Sequence, residues 1–550
     1  MAKSVQNRSK SLPGIASSGT KMRTFIKFVG FLLLFGTIFR SQSGFAEDTK
    51  ISSAQLEKLL ERLETAESRI QELEQTKQQE TTAPAVPPQP AVPPQLKKAG
   101  GGLDDSDELL ISNFRNNAGD PIIESRLSSL EEDWKKFSDS EQAQKAKDAS
   151  KVTTIKLFGR IHIDGWNFSD STPGIAAFNN PTTPQDPQNR YGFRRIRIGV
   201  SGKIKDNMLY KFEYDFANPE DPAFKDVYIG WTDLPIFQTL LIGNQKRPLG
   251  MDHLNSSRYN TFLERPLVIE AFNEDARRLG IAAYGVSEDE TWNWRYGIYT
   301  LENIADDGQA VGDAGQMSVN GRLAGTPWYD ETSGGRGYLH LGIADMWANP
   351  DGDVVPPSTN SNGARFRTRP EARTGSTRWL DTGAIAGADW FNTLGFEAML
   401  NIGSFSVVSE YQVTKVGRGN DGSDLTFDGA YVQAAYFLTG EYQPIDRRTG
   451  TIGRVKPLEN FFWVNTCDED TASGWGAWQV AARYSYLNLT DADIRGGDER
   501  NWSLAAVWWW NSHARVQFNY VHAEIDDHRA VNGFTGGKSD IFGARFMVDF

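Results

Sequence analysis

Phe542-Gly543-Ala544-Arg545-Phe546-Met547-Val548-Asp549-Phe550, at the end of the chain, reads alternately apolar and mixed. In an extended strand, side chains two residues apart share a face. Phe542, Ala544, Phe546, Val548 and Phe550 therefore form one greasy edge, and Arg545 and Asp549 stand opposite. Working back, the same period marks sixteen candidate strands. They lie near 155–166, 193–203, 208–217, 224–232, 238–247, 277–286, 292–300, 317–326, 337–348, 389–400, 404–415, 427–438, 477–489, 500–511, 513–524 and 538–550.

The count is even and most segments are about ten residues, the length that crosses a bilayer at a tilt. Short turns such as Asp206-Asn207 and Asn511-Ser512 alternate roughly with long polar loops near 167–192, 248–276, 349–388 and 439–476. This predicts an all-β fold, a 16-stranded antiparallel transmembrane β-barrel over 151–550 with its long loops outside. The mean hydropathy of −0.49 suggests a soluble protein, but alternating lipid-facing and lumen-facing residues average out in a barrel. A propeller would need a repeat of about 40–50 residues, and none is seen. Outward faces such as Tyr210, Phe212, Tyr214 and Phe216, or Phe405, Val407 and Tyr411, are too apolar for open water. Trp508-Trp509-Trp510 suits an interfacial girdle.

Placing the apolar alternants in lipid turns the charges inward, because a charge on the lipid face costs about 2–4 kcal/mol near the midplane. The expected lumen set is Arg160, Arg195, Arg197, Lys211, Arg278, Arg295, Arg322, Arg483, Arg515 and Arg545. The expected inward acids are Asp164, Glu213, Asp215, Asp226, Glu397 and Glu410. Such charges either pair across the wall and stiffen it, or hand anions along a wet channel.

Ahead of the strands the chain changes character. Lys21, Arg23 and Lys27 precede the apolar run Phe28–Phe39, and Ser43-Gly44-Phe45-Ala46 offers a cleavage site after Ala46. This is a secretory signal over 1–46. Leu56, Leu59, Leu63, Ala66, Ile70 and Leu73 keep heptad spacing, so 47–82 reads as a coiled coil. A Pro/Gly-rich linker follows over 83–102, including the polyproline-like APAVPPQPAVPPQ. A second amphipathic helical segment occupies 103–150, with Ile123, Leu127, Leu130, Trp134 and Phe137 in register.

Charge separates along the chain: +7 over 1–46, −8 over 47–150 and −12 over 151–550, for a net −13. That balance excludes a broad basic face for nucleic acid. The single cysteine, Cys467, excludes an internal disulfide. No P-loop, nucleophile elbow or zinc-ligand cluster is found, so no catalytic residue, cofactor or metal is expected.

The barrel region resembles the phosphate-selective porin O and P family. The resemblance rests on Phe193–Gly202 (FRRIRIGVSG), Tyr210–Phe216 (YKFEYDF), Lys225–Ile229, Gly243–Gly250 (GNQKRPLG), Ser256-Ser257 and Phe262–Arg265. It continues in Ala435–Glu441 and Ala481–Ser485. It implies a homotrimeric porin in outer-membrane lipid, with lumen arginines serving small anions. It also implies a third outer loop, about 248–276, that folds inward as a constriction carrying Arg258 and Arg265, with Lys246 and Arg247 at its base. The expectation is passive diffusion of small hydrophilic solutes with an anion or phosphate preference, and an N-terminal segment in the periplasm touching the cell wall. One rival is a barrel-anchored tether or adhesin acting through the coiled coil. Another is a soluble carbohydrate-active β-protein using Glu397 and Glu410.

Overall fold

The computed structural model describes residues 152–550 apart from 221, 274–276, 305–310, 312–314, 354–362, 376, 420–421, 463, 466–470 and 473. The signal peptide, coiled coil, linker and second amphipathic segment expected over 1–150 lie outside the described residues, as does Cys467.

Among the described residues sixteen strands close into one barrel, each paired with its sequence neighbours and the last with the first. They are β1 Lys156–Ser169, β2 Arg190–Ile204, β3 Met208–Asp215, β4 Ala223–Leu234, β5 Gln238–Lys246, β6 Arg277–Val286, β7 Trp292–Thr300 and β8 Met317–Tyr329. The second half comprises β9 Gly337–Ala348, β10 Ala388–Ile402, β11 Phe405–Arg418, β12 Leu425–Phe437, β13 Ala477–Asp491, β14 Ile494–Trp509, β15 Ala514–His528 and β16 Gly537–Asp549. Each falls where the period of two places it. The largest boundary difference is β14, which starts at Ile494 rather than near 500. Its added residues, like the Ile525–His528 end of β15, are mostly polar and carry no apolar alternation. They pair nonetheless, as far as Gly496 with His528.

The seam runs from Arg160 opposite Asp549 to Ser169 opposite Asp540. Gly159 and Phe550 exchange backbone hydrogen bonds of 3.0 and 3.2 Å. The Phe550 ring lies where a β-carbon on Gly159 would project, so glycine there lets the terminal ring pack on the wall.

Leu157, Ile161 and Ile163 are 57, 42 and 43 % exposed, while Arg160, His162 and Asp164 are 4, 0 and 5 %. That is the inverse of a water-soluble sheet, and it fits lipid outside and polar contents inside. Stacked tryptophans flank the apolar band, Trp347 on Trp390 near one end and Trp478 on Trp508 near the other. Such pairs suit the headgroup level of a bilayer.

The apolar core sits inside the barrel. From the loop between β5 and β6 come α1 (Met251–Leu254) and α2 (Leu267–Phe272). Leu249, Met251, Leu263, Leu267 and Phe272 pack with Phe366, Trp379 and Leu380 of the loop between β9 and β10. Wall residues Val416, Phe427 and Leu487 complete this buried cluster.

The 438–476 connection, expected as an outer loop, emerges at the opposite end. It joins an even strand to an odd one, β12 to β13, at the end where β1 starts and β16 stops. Strand parity, rather than loop length, assigns the end. A short hairpin there pairs Ile445 with Ile452 and Asp446 with Thr451, and it enters the lumen from that side.

Candidate functional site

The infolded loops pack mainly against β9–β16, leaving a cavity of about 320 Å³ on the β1–β7 side. Strands β1–β3 contribute Arg160, Arg195, Arg197, Lys211 and Glu213. Strands β4–β7 contribute Asp226, Tyr228, Arg277, Tyr284 and Arg295. The loop and its root add Lys246, Ser257, Arg258, Tyr259 and Arg265.

Carboxylates answer some of these cations. Arg160 donates to Glu213 at 2.6 Å and to Ser257 at 2.9 Å. Arg197 donates to Asp215 at 2.7 Å. Asp226 accepts from Lys211 and Arg277, each at 2.5 Å. Arg258 pairs with Asp549 at 2.9 Å and Arg265 with Asp252 at 3.1 Å. Lys246 points its ammonium at three carbonyls where α1 ends: those of His253, Leu254 and Asn255, at 2.8–2.9 Å. Its charge is fixed in place and partly shared with the loop backbone. Like Lys246, two further cations on the cavity have no carboxylate partner among the described residues. Arg195 reaches His162 Nδ1 at 3.3 Å, and Arg295 donates to Thr449 O at 3.0 Å and lies over the Tyr284 ring.

Nine cationic side chains thus line the cavity, met by Glu213 and Asp226 on its surface and by Asp215, Asp252 and Asp549 behind it. The local excess is positive in a chain whose net charge is −13.

Arg278, Arg322, Arg483, Arg515, Arg545 and Arg247 point inward but lie outside this lining. Arg545 grips Asp164 through two 2.6 Å bonds. Arg483 bonds Glu371, and Arg322 bonds Glu397 and the Gly450 carbonyl. Arg278 donates to Leu301 O, Arg515 to Asn260 O, and Arg247 contacts Met346 Sδ at 3.6 Å.

The alternation rule missed two arginines. His162 pairs with Arg195 but Ile163 pairs with Phe193, so Arg194 is the extra residue of a β-bulge. Both Arg194 and Arg195 then face inward, and Arg194 holds Glu264 of the loop at 2.7 and 2.9 Å. Burial opposes the Glu264 charge, yet Arg194 and Arg545 hold its carboxyl well below the usual range. Arg277, next to the expected Arg278, is the second; consecutive arginines in Arg194-Arg195 and Arg277-Arg278 were the available signal.

Glu397 and Glu410 do stand opposite each other on β10 and β11. Both are buried. Glu397 is held by Arg322 and His340; Glu410 accepts the backbone N–H groups of Met251 and Asp252 at 3.1 and 2.7 Å and the Tyr431 hydroxyl at 2.8 Å. These contacts tie Glu397 to the wall and the hairpin side of the lumen, and Glu410 to the infolded loop.

A closed barrel, greasy outside, charged within and narrowed by infolded segments, has the build of an outer-membrane channel. Residues 172–550 match the family described as phosphate-selective porin O and P, and the chain belongs to that family. Two relatives are similar to it. One is an "Uncharacterized protein" of Caulobacter vibrioides, 26% identical over 94% of this chain and 95% of its own. The other is Porin O of Pseudomonas aeruginosa, 22% identical over 70% of this chain and 86% of its own. Similar solved structures include the outer membrane channel DcaP of Acinetobacter baumannii, with TM-score 0.42 and 10% identity over 72% of this chain and 97% of that one. The trimer form of OmpT of Vibrio cholerae has TM-score 0.42 and 13% identity over 72% of this chain and 100% of that one.

Proposed function

We propose that this outer-membrane porin passes small hydrophilic solutes by passive diffusion along the β1–β7 side of its lumen, with a preference for anions, phosphate-like oxyanions among them. The single observation that carries this reading is the cationic excess around the 320 Å³ cavity. Guanidinium groups stay charged at any physiological pH and offer paired donors to oxyanions. In this reading Arg160, Arg195, Arg197, Lys211 and Arg295 form the basic wall. Lys246, Arg258 and Arg265 bring the infolded loop's charge to face it, and the remaining inward arginines fasten loops to the barrel. The protein works as a homotrimer, with its N-terminal segment in the periplasm and its coiled coil reaching toward the cell wall.

Planar-bilayer recording in asymmetric salt tests this. The wild-type reversal potential should show anion preference, and Arg195→Gln with Arg295→Gln should move it toward cations. A cation-selective wild type, or an unmoved potential in the double variant, rejects the reading.

A further inference from the structure

The wall beneath the loop between β9 and β10 holds a carboxylate that the transport reading does not use. Glu499 on β14 is fully buried, and among the described residues only the Asn501 side chain is placed to bond it. No lysine, arginine or histidine pairs with it among the described residues. Asn501, two residues on and on the same face, is equally buried, and its amide oxygen has no partner among the described residues. Ser485, directly opposite Asn501 on β13, is buried with an unbonded hydroxyl. Leu487, opposite Glu499, and Leu380 of the covering loop are both fully buried, so bulk water has no access.

The next inward position shows what a satisfied carboxylate looks like here. Glu371 accepts from Arg483, from the Ser503 hydroxyl at 2.9 Å and from the Leu267 N–H at 3.3 Å. An isolated buried carboxylate takes up either a proton or a counter-ion.

We propose that Glu499, Asn501 and Ser485 bind one alkali-metal cation between β13 and β14. The donors are all oxygens, which suits a hard cation. One carboxylate balances a monovalent ion, whereas a divalent ion would leave a net positive charge in a sealed niche. The bound ion ties the two strands to each other, and it stabilises the folded barrel by mass action.

The test uses the full-length barrel in detergent, unfolded by heat and followed by gel migration, at matched ionic strength. Replacing choline chloride with sodium or potassium chloride should raise the midpoint by several degrees, and the ion acting at lower concentration is the occupant. Glu499→Gln should abolish the rise, and Ser485→Ala should require several-fold more salt for half of it. A wild-type midpoint equal in all three salts overturns the proposal, as expected of a simple protonated acid bonded to Asn501. So does a full alkali response retained in Glu499→Gln, or a response to calcium alone. Should Glu499→Gln fail to assemble, Ser485→Ala decides, and an unchanged half-saturation overturns it.

Discussion

Glu264→Gln keeps the side chain's shape and removes one charge where the infolded loop meets the wall. Arg194 donates to both carboxylate oxygens at 2.7 and 2.9 Å, and Arg545 adds a third bond at 2.9 Å. The carboxylate is only 13 % exposed. Breaking one partner of a buried pair costs about 3–5 kcal/mol. Arg545 keeps Asp164 while Arg194 loses its carboxylate, so about 3 kcal/mol is the appropriate end of that range. At 1.36 kcal/mol per tenfold, the loop should open roughly 100-fold more often. The readout is amide hydrogen exchange at Ile269 and Glu270, whose N–H groups bond to Pro266 O and which open by local rather than global unfolding. The pH dependence has a definite sign. Because the folded-state pKa of Glu264 is depressed, the latch is fully present above the unfolded glutamate value of about 4.3. It is lost only as pH falls through the lower folded value. Wild type should therefore stay protected at pH 5, while the variant exchanges fast at pH 7. Protection within about twofold of wild type at these amides would refute the ion-pair latch.

Replacing Gln443–Gly453 with a short Gly-Ser link should raise single-channel conductance and strengthen anion preference, because the Thr449 and Gly450 carbonyls now occupy Arg295 and Arg322. Unchanged conductance would show that the hairpin does not restrict the passage. Gly159→Leu should slow assembly and reduce the folded band on gels by displacing Phe550, whereas Gly192→Ala, with open space around its added carbon, should assemble normally. Leu504→Arg, on a lipid-facing position that is 57 % exposed, should cost about 2–4 kcal/mol in urea unfolding from liposomes; no loss would place that face away from lipid.

The strands were legible because lipid on one side and water on the other impose a strict period of two. At Arg160, His162 and Asp164 it sorted every side chain onto its face. The rule fails where the backbone departs from regular pleating. At Arg194 the bulge breaks register, and adjacent residues turn inward together. It also says nothing about what meets an inward charge. Lys211 finds a carboxylate on the neighbouring strand, which an inventory of inward acids anticipates. Arg295 instead meets the Thr449 carbonyl, and Arg322, besides Glu397, meets the Gly450 carbonyl, each carbonyl more than a hundred residues away in sequence. Backbone acceptors carry no side-chain signature, so the end from which that hairpin enters was open to misreading.

The division of the lumen follows from how the infolded loop sorts its own residues. Leu263, Leu267, Val268, Ile269 and Phe272 bury themselves together, and at about 25 cal/mol per Å² that burial is a strong restoring force on the loop's position. Arg258 and Arg265 belong to the same loop, and once its apolar side is committed to β9–β16 they face the β1–β7 wall. The cavity's charge is therefore set by packing elsewhere in the barrel. A substitution that loosens the apolar contact, such as Phe272→Ala, should shift ion preference without touching a charged residue. Neutralising Arg195, which bonds only His162 on the wall, should do so without loosening the loop. Observing both effects separately would distinguish a cationic wall positioned by packing from one positioned by its ion pairs alone.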